Sequence, residues 1–530
     1  MATVSVNDLT ISDKLGLLSV LPIQFTVAMI IAPILALIFI YTGRCRFSIL
    51  LVAVFLMYVR LTPYMVEPLR GIDLFSHFSR VVVVNSLGNL PPTQRFYFDF
   101  PGSTILASSL LQITGLSDIF FLKYLFPVLA IFVQYFGILV LLRKTYKDSR
   151  YVGAAFLLSS FFPPTGQMDF SPAATALIYF SLMLYFFFYS NSRIQSLCFL
   201  ILTFSITISN PTVALFSLLI LVAFTLLIKG PFRFSLPKNN YGLKTVVFGV
   251  VFFLWVIFRS LDNVAFQIVV NIREFFTTIF SGTSEIPAKF SPPLAYLYEI
   301  SLARRLYYGI GIFLSAIILL GTAIILFRNR EKIRQNHRIL FGSVIIFVCL
   351  TLGTALFVAM SGHPFGEVAL RYAFFGIPLA LGFLMIFNSK KRFLIFCLLV
   401  ILLIVPTFLS FYGQEQYFLI RKTSYNGLRF AGGHINHAET GIVCDFGEQL
   451  FSFTNMALWD KIYFNYPTSS VSRQPPQNPN YYIFRIETYY YEEYSFGNSS
   501  YSENYNEFLN SNRYNNIYSS ATFGICSLIA

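Results

Sequence analysis

The sequence predicts a mainly α, polytopic transmembrane helix bundle of about twelve spans, closed by a C-terminal extracytoplasmic mixed α/β domain. Three observations carry that expectation. Apolar runs approaching the roughly 20 residues needed to cross a bilayer recur along the chain. The 530 residues are 56% hydrophobic, include 61 phenylalanines, and are only 12% charged, about half the charged share of a soluble domain. From residue 412 onward the composition turns polar and rich in Tyr and Asn.

In chain order, spans are expected near 22–41, 47–62, 121–142, 150–164, 171–189, 196–209, 211–228, 245–260, 307–327, 339–360, 370–388 and 393–411. Residues 1–411 thus form the membrane domain, with two large loops at 63–120 and 261–306. The stretch 103–116, STILASSLLQITGL, reads either as a short span or as a helix lying at the interface.

The formal net charge is +14. In a soluble protein such an excess suggests nucleic acid. Here the basic residues gather in short loops between apolar runs, at 44–46, 143–150, 229–244, 328–338 and 390–392. That is the positive-inside pattern of a multi-pass protein of the cell membrane, and it leaves nucleic acid no part. With these loops in the cytoplasm and 103–116 not crossing, the loops 63–120, 165–170, 261–306 and 361–369 lie outside, together with the C-terminal domain.

Residues 412–530 form that second domain. TGIVCDF (440–446) and YYIFRIETYYY (481–491) have the aromatic and β-branched content of strands, and QPPQNPN has loop chemistry. Cys444 and Cys526 fall in this domain and, outside the cytoplasm, form either a disulfide or two free thiols. His434 and His437 in GGHINHAE have His-x-x-His spacing, but the flanking glycines argue against a helical metal site.

The chemistry-bearing residues concentrate in the loop 63–102, which holds Glu67, Arg70, Asp73, His77, Arg80, Arg95 and Asp99. Asp73, His77 and Arg80 stand at i, i+4 and i+7 of a short amphipathic helix and share one face. There Asp73 suits a general base or a ligand of a divalent cation, or simply a helix cap. Asp99, in FYFDFPG, is either a second site carboxylate or a polar residue at the interface. Asp169, in the loop FFPPTGQMDFSP, faces the same side as Asp73, and two such carboxylates can share a hard cation such as Mg or Mn. Arg371 opens an apolar run, where a charge is costly unless paired. Its planar guanidinium suits a phosphate or snorkels at the interface. Arg304 and Arg305 in the 261–306 loop are further phosphate candidates. The chain has no P-loop, dinucleotide fingerprint, nucleophile elbow or kinase signature, so no nucleotide cofactor is expected.

The order of these features resembles the GT-C superfamily of polytopic membrane glycosyltransferases, in particular the dolichyl-phosphate-mannose protein mannosyltransferases and aminoarabinose transferases. An acidic residue and a histidine in the first outer loop precede Phe-Asp-Phe-Pro-Gly and a helix ending Ile-Thr-Gly-Leu. Many spans follow, one opening Arg371-Tyr372 with Pro378, and a polar domain closes the chain. The resemblance implies an inverting transfer of a sugar from a polyprenyl-phosphate carrier to an extracytoplasmic acceptor, whether protein, lipid or glycan. It puts Asp73 in the essential acidic position, with Glu67 as the fallback, and Asp169 in the second acidic loop. The only tryptophans are Trp255 and Trp459, so the Trp-Trp-Asp-Tyr-Gly motif of the oligosaccharyltransferases is missing. Two other classes stay open: a transporter or lipid flippase, which requires ionisable groups deep inside the spans, and a non-catalytic cell-envelope assembly protein.

Overall fold

In this computed structural model the described residues are chiefly 21–65, 74–90, 99–160 and 170–260, with gaps at 147, 191 and 230–239, together with four residues between 397 and 404 and short strands elsewhere. The 261–306 loop and the expected spans 307–327, 339–360 and 370–388 lie outside them.

The helices follow the apolar runs. They are α1 (Ile23–Tyr41), α2 (Cys45–Met65), α3 (Leu74–Leu87), α4 (Gly102–Thr114), α5 (Asp118–Phe120 continuing through Phe121–Leu125 and Phe126–Thr145), α6 (Ser149–Ser159), α7 (Pro172–Tyr189), α8 (Arg193–Ser209), α9 (Pro211–Lys229) and α10 (Tyr241–Trp255 with a final turn Val256–Ser260). Among the described residues five helices are long and apolar enough to cross a membrane, and α8 and α9 are shorter apolar helices. The 13 residues of α4 extend about 20 Å at 1.5 Å per residue, short of the roughly 30 Å hydrocarbon layer. That length fits the interface reading of 103–116 better than a span.

Local chemistry sets the helix starts. Ser171 accepts from the Ala174 N–H at 3.1 Å, with Pro172 at the first helical position. Ser192 and Gln195 form a reciprocal capping box at α8. Asn210 accepts from the Val213 N–H at 2.9 Å ahead of Pro211 and α9. At the other end of α4, Gly115 takes a left-handed φ of 64° and its N–H returns to the Leu111 carbonyl at 2.9 Å.

α7 is the hub. It packs against α5, α8, α9, α4 and α10, and Phe180, Met183, Phe187 and Ala176 on it are fully buried. Ser181 of α7 donates to the Gln134 carbonyl of α5 at 3.1 Å. Near Arg193 the end of α7 is held by α10: Lys244 Nζ donates to the carbonyls of Phe186 (3.1 Å) and Phe187 (2.8 Å).

The lead-in to α4 explains its Pro-Gly pair. A Cβ on Gly102 would meet Ser209 Oγ, and would lie 2.9 Å from both Ile208 Cγ1 and the Ser209 backbone nitrogen. Only glycine lets the start of α4 close on the end of α8.

Two sheets complete the described structure. β1 (Leu69–Arg70) pairs antiparallel with β2 (Leu419–Ile420). In the C-terminal part, β3 (Ile442–Cys444), β4 (Ile462–Phe464), β5 (Tyr481–Arg485), β6 (Tyr514–Ser520) and β7 (Phe523–Leu528) form one mixed sheet in the order β4-β3-β5-β7-β6. Strands thus appear at both expected segments. Cys444 pairs in register with Ile483 of β5, and Cys526 with Tyr482 of the same strand. The two cysteines therefore stand two strand spacings apart, about 9.6 Å, beyond the Cα range that a disulfide closes without backbone movement.

The Gly102 contact makes a measurable prediction. Gly102→Val destabilises the purified protein by about 1–3 kcal/mol through overpacking against backbone, read as a lower thermal midpoint in nanodiscs. Gly249→Ala, whose added Cβ finds its nearest neighbour at 3.7 Å, leaves the midpoint in place. Equal midpoints for both variants would contradict the close approach.

Candidate functional site

Aromatic packing seats α3, the helix that carries His77 and Arg80, against the bundle. Phe78 of α3 is fully buried. Its ring lies 5.8 Å from both Phe121, at the start of α5, and Phe170, just ahead of α7. Phe170 also packs edge-on to Phe126 at 5.1 Å. This four-ring cluster fixes α3 across the helix ends. α4 is tied to α3 by polar contacts: Ser108 hydroxyl donates to the Asn85 side-chain oxygen, and Gln112 donates to the same oxygen at 3.3 Å.

Next to Phe78, His77 and Arg80 meet. An Arg80 Nη1–H donates to His77 Nδ1 at 2.9 Å. Arginine has no lone pair to offer, so Nδ1 is the acceptor and the neutral ring carries its proton on Nε2. Burial, and secondarily the Arg80 charge, push the His77 pKa well below the ordinary histidine range. His77 is thus a neutral holder of Arg80, which is itself 8% exposed. That arrangement leaves His77 no free basic nitrogen with which to deprotonate an acceptor.

Asp99 is buried inside the protein. It is 7% exposed. Its backbone carbonyl accepts from Trp255 Nε1–H at 2.9 Å, and its carboxylate accepts from the Ser260 hydroxyl at 3.2 Å. Trp255 in turn stands edge-on to Phe204 of α8. These contacts pin the Phe-Asp-Phe-Pro-Gly lead-in to the last turn of α10.

Two buried cations were missed in reading the sequence. Lys123 is 7% exposed and sits in a π-helical turn, Phe121–Leu125, with its ammonium 5.5 Å from the Tyr124 ring centre. π-turns inside α-helices often mark functional sites. Arg60 of α2 is 3% exposed and donates to the Tyr135 hydroxyl at 2.9 Å. The signal was available: Val-Arg-Leu and Leu-Lys-Tyr each put one cation inside an apolar run. α2 packs on the π-turn, and α3 reaches the same turn through Phe78. Arg80, Lys123 and Arg60 therefore lie on three elements that meet.

Of the residues expected to form a site, His77 and Asp99 are described. Asp73, Glu67, Asp169, Arg304, Arg305 and Arg371 lie outside the described residues. Among the described residues no three His, Cys, Asp or Glu side chains gather as metal ligands.

The neutral His77 predicts a pH dependence. Below about pH 6.5, the unfolded imidazole takes up a proton that the folded ring refuses, so stability falls as pH drops from there towards the lowered folded pKa. Thermal midpoints of wild type and His77→Gln, measured from pH 8 to pH 5, should show the wild type losing the more on acidification. Parallel curves would contradict the assignment.

No protein-family model matches the chain, and no curated protein matches it in sequence. Solved structures do match in fold. The oligosaccharyltransferase of Archaeoglobus fulgidus, tethered with an acceptor peptide containing the NVT sequon, aligns with a TM-score of 0.50 at 12% identity, over 91% of this chain and 74% of that one. A second structure of that enzyme, in complex with Zn and sulfate, aligns at 0.50 and 14% identity over 90% and 73%. ArnT from Cupriavidus metallidurans, bound to undecaprenyl phosphate, aligns at 0.52 and 11% identity over 91% of this chain and 97% of that one. This chain therefore shares the fold of these membrane-protein structures.

Proposed function

We propose that the protein is an inverting glycosyltransferase. It takes a sugar from a polyprenyl-phosphate carrier and delivers it to a hydroxyl-bearing acceptor on the extracytoplasmic side. The observation that carries this reading is two buried cations, Arg80 on α3 and Lys123 on α5, on elements that pack through Phe78 and Phe121. Buried cations suit the phosphate of a lipid donor, and ArnT from Cupriavidus metallidurans, similar in fold, is bound to undecaprenyl phosphate. A guanidinium presented by a fixed partner suits a phosphate oxygen, and the ammonium adds a compact charge.

In the reaction, the bond between the sugar anomeric carbon and the phosphate oxygen breaks as the acceptor oxygen bonds to that carbon from the opposite face. Asp73 takes the acceptor proton, with Glu67 as the alternative base, and the phosphate leaves with the bonding electrons. Arg80 and Lys123 stabilise the charge growing on it, with Arg371, Arg304 and Arg305 as further candidates. His77 orients Arg80, and Asp99 keeps the loop on α10. A divalent cation would take oxygen ligands from Asp73 and Asp169.

Arg60, buried within α2, is the kind of intramembrane charge a transporter would also carry. Its bond to Tyr135 gives it a structural partner on α5, which favours the enzyme. The test is transfer from a panel of polyprenyl-phosphate sugars in native membranes. Asp73→Asn should abolish transfer with expression intact. Retained activity, or lipid translocation without transfer, would sink the proposal.

A further inference from the structure

Three helix hairpins, α1–α2, α5–α6 and α7–α8, turn at one end of the bundle, and α10 begins there. α5 and α7 run parallel. Phe126 packs on Phe170 at 5.1 Å where they start, Ser181 reaches the Gln134 carbonyl at 3.1 Å midway, and Tyr146 lies within electrostatic reach of Tyr189 where they finish. The Tyr146 and Tyr151 rings, 6.5 Å apart, carry that level to α6. A Cβ on Gly153 of α6 would lie 3.3 Å from Ile40 of α1 and 3.7 Å from Ser48 of α2. Lys244 of α10 bonds carbonyls in the last turn of α7. The described charges are sorted between the two ends. The turning end exposes Arg44, Arg46, Arg143, Lys144, Arg150 and Arg193. Among the described residues its one carboxylate is Asp148, already paired with Arg150 Nε at 3.4 Å. At the other end, among the described residues, Arg259 is the one exposed cation, while Arg80 and Lys123 are buried.

Exposed cations gathered at one end repel one another unless anions lie among them. Two further observations say which anion. Aromatic side chains stand at the same level: exposed Tyr41 closes α1, and the Phe39 and Phe47 rings, 6.1 Å apart, join α1 to α2. Tyrosines of this kind settle at headgroup depth. Beyond Arg46, the exposed Phe47, Leu50 and Val54 form an apolar stripe at i, i+3 and i+7 along α2. A ligand with its phosphate on Arg44 and Arg46 and its chains on that stripe is a phospholipid. A free anion or an acidic protein would use the charge and leave the stripe bare. We infer that this end is a docking surface for acidic phospholipid headgroups, with Arg44 and Arg46 at one site of it. The positive-inside pattern sets the end at the cytoplasmic leaflet, whose anionic lipids attract basic residues near the surface. Anchored there, the bundle keeps its other end, with Arg80 and Lys123, at a fixed depth. The inference does not rest on the glycosyltransferase reading.

The test uses the full chain in phosphatidylcholine vesicles that carry a trace of spin-labelled phosphatidylglycerol or spin-labelled phosphatidylcholine. The motionally restricted part of the spectrum reports the lipid held on the protein. At low salt the wild type should hold phosphatidylglycerol severalfold more strongly than phosphatidylcholine. Raising the salt to about 1 M, where the Debye length is about 3 Å, should bring the ratio close to one. Arg44→Gln/Arg46→Gln/Arg143→Gln/Lys144→Gln should lose most of the preference at low salt. The charge-keeping variant Arg44→Lys/Arg46→Lys/Arg143→Lys/Lys144→Arg should retain it, which separates charge from folding. Arg259→Gln, at the opposite end, should leave it unchanged. A wild-type ratio near one, as a surface built for an acidic protein would give, overturns the inference. So does a preference that survives high salt, one that the glutamine variant keeps, or one that Arg259→Gln removes. Loss of the preference to added inorganic phosphate at constant ionic strength would assign the cations to a free anion and overturn it as well.

Discussion

An ionisable group buried in an apolar bundle must be paired, and that constraint shapes the polar end of this protein. A lysine or arginine at the centre of a membrane helix costs about 2.5–3.5 kcal/mol on insertion scales. Arg60 meets it with the Tyr135 hydroxyl, Arg80 with His77 Nδ1, and Lys123 with the Tyr124 face. Asp99 accepts from Ser260. Each partner lies close to the charge and on a packed element. The charges are thus held in fixed places, which is what recognition of a phosphate requires.

The apolar scaffold makes those places. Phe78 seats α3 against Phe121 and Phe170, and Gly102 lets α4 close on α8. Trp255 and Ser260 then draw the Asp99 segment onto α10. Three helices that do not belong to the same hairpin are thereby locked around one end of α7 and α5. The π-turn in α5 shifts the register of the helix where Lys123 emerges, so a single insertion in the helical ladder aims a cation that regular geometry would direct elsewhere.

Much of the fold was legible because a membrane span has a length and a composition. The runs at 22–41, 47–62, 121–142 and 171–189 became α1, α2, α5 and α7 within a few residues. The short run at 103–116 was ambiguous in sequence, and it forms a helix of 13 residues, α4. Within the site, the Asp73-His77-Arg80 spacing correctly put His77 and Arg80 on one helix face. It did not reveal that Arg80 would occupy Nδ1, because a tautomer depends on which neighbour arrives. In sequence, Asp99 reads as a polar residue at the interface before it reads as a second site carboxylate. Its partners come from α10, far along the chain, and no local pattern announces them. Lys123 and Arg60 were legible as lone cations in apolar runs, but their burial depends on packing between helices distant in sequence.

The measurement that bears most directly on this account is an experimental structure of the chain in nanodiscs with undecaprenyl phosphate added. The account predicts density for the phosphate within hydrogen-bonding reach of Arg80 and Lys123, with the polyprenyl tail running out between helices into the lipid. A phosphate bound away from both cations, or lipid passing through the bundle beside Arg60 with the α3 end empty, would contradict it.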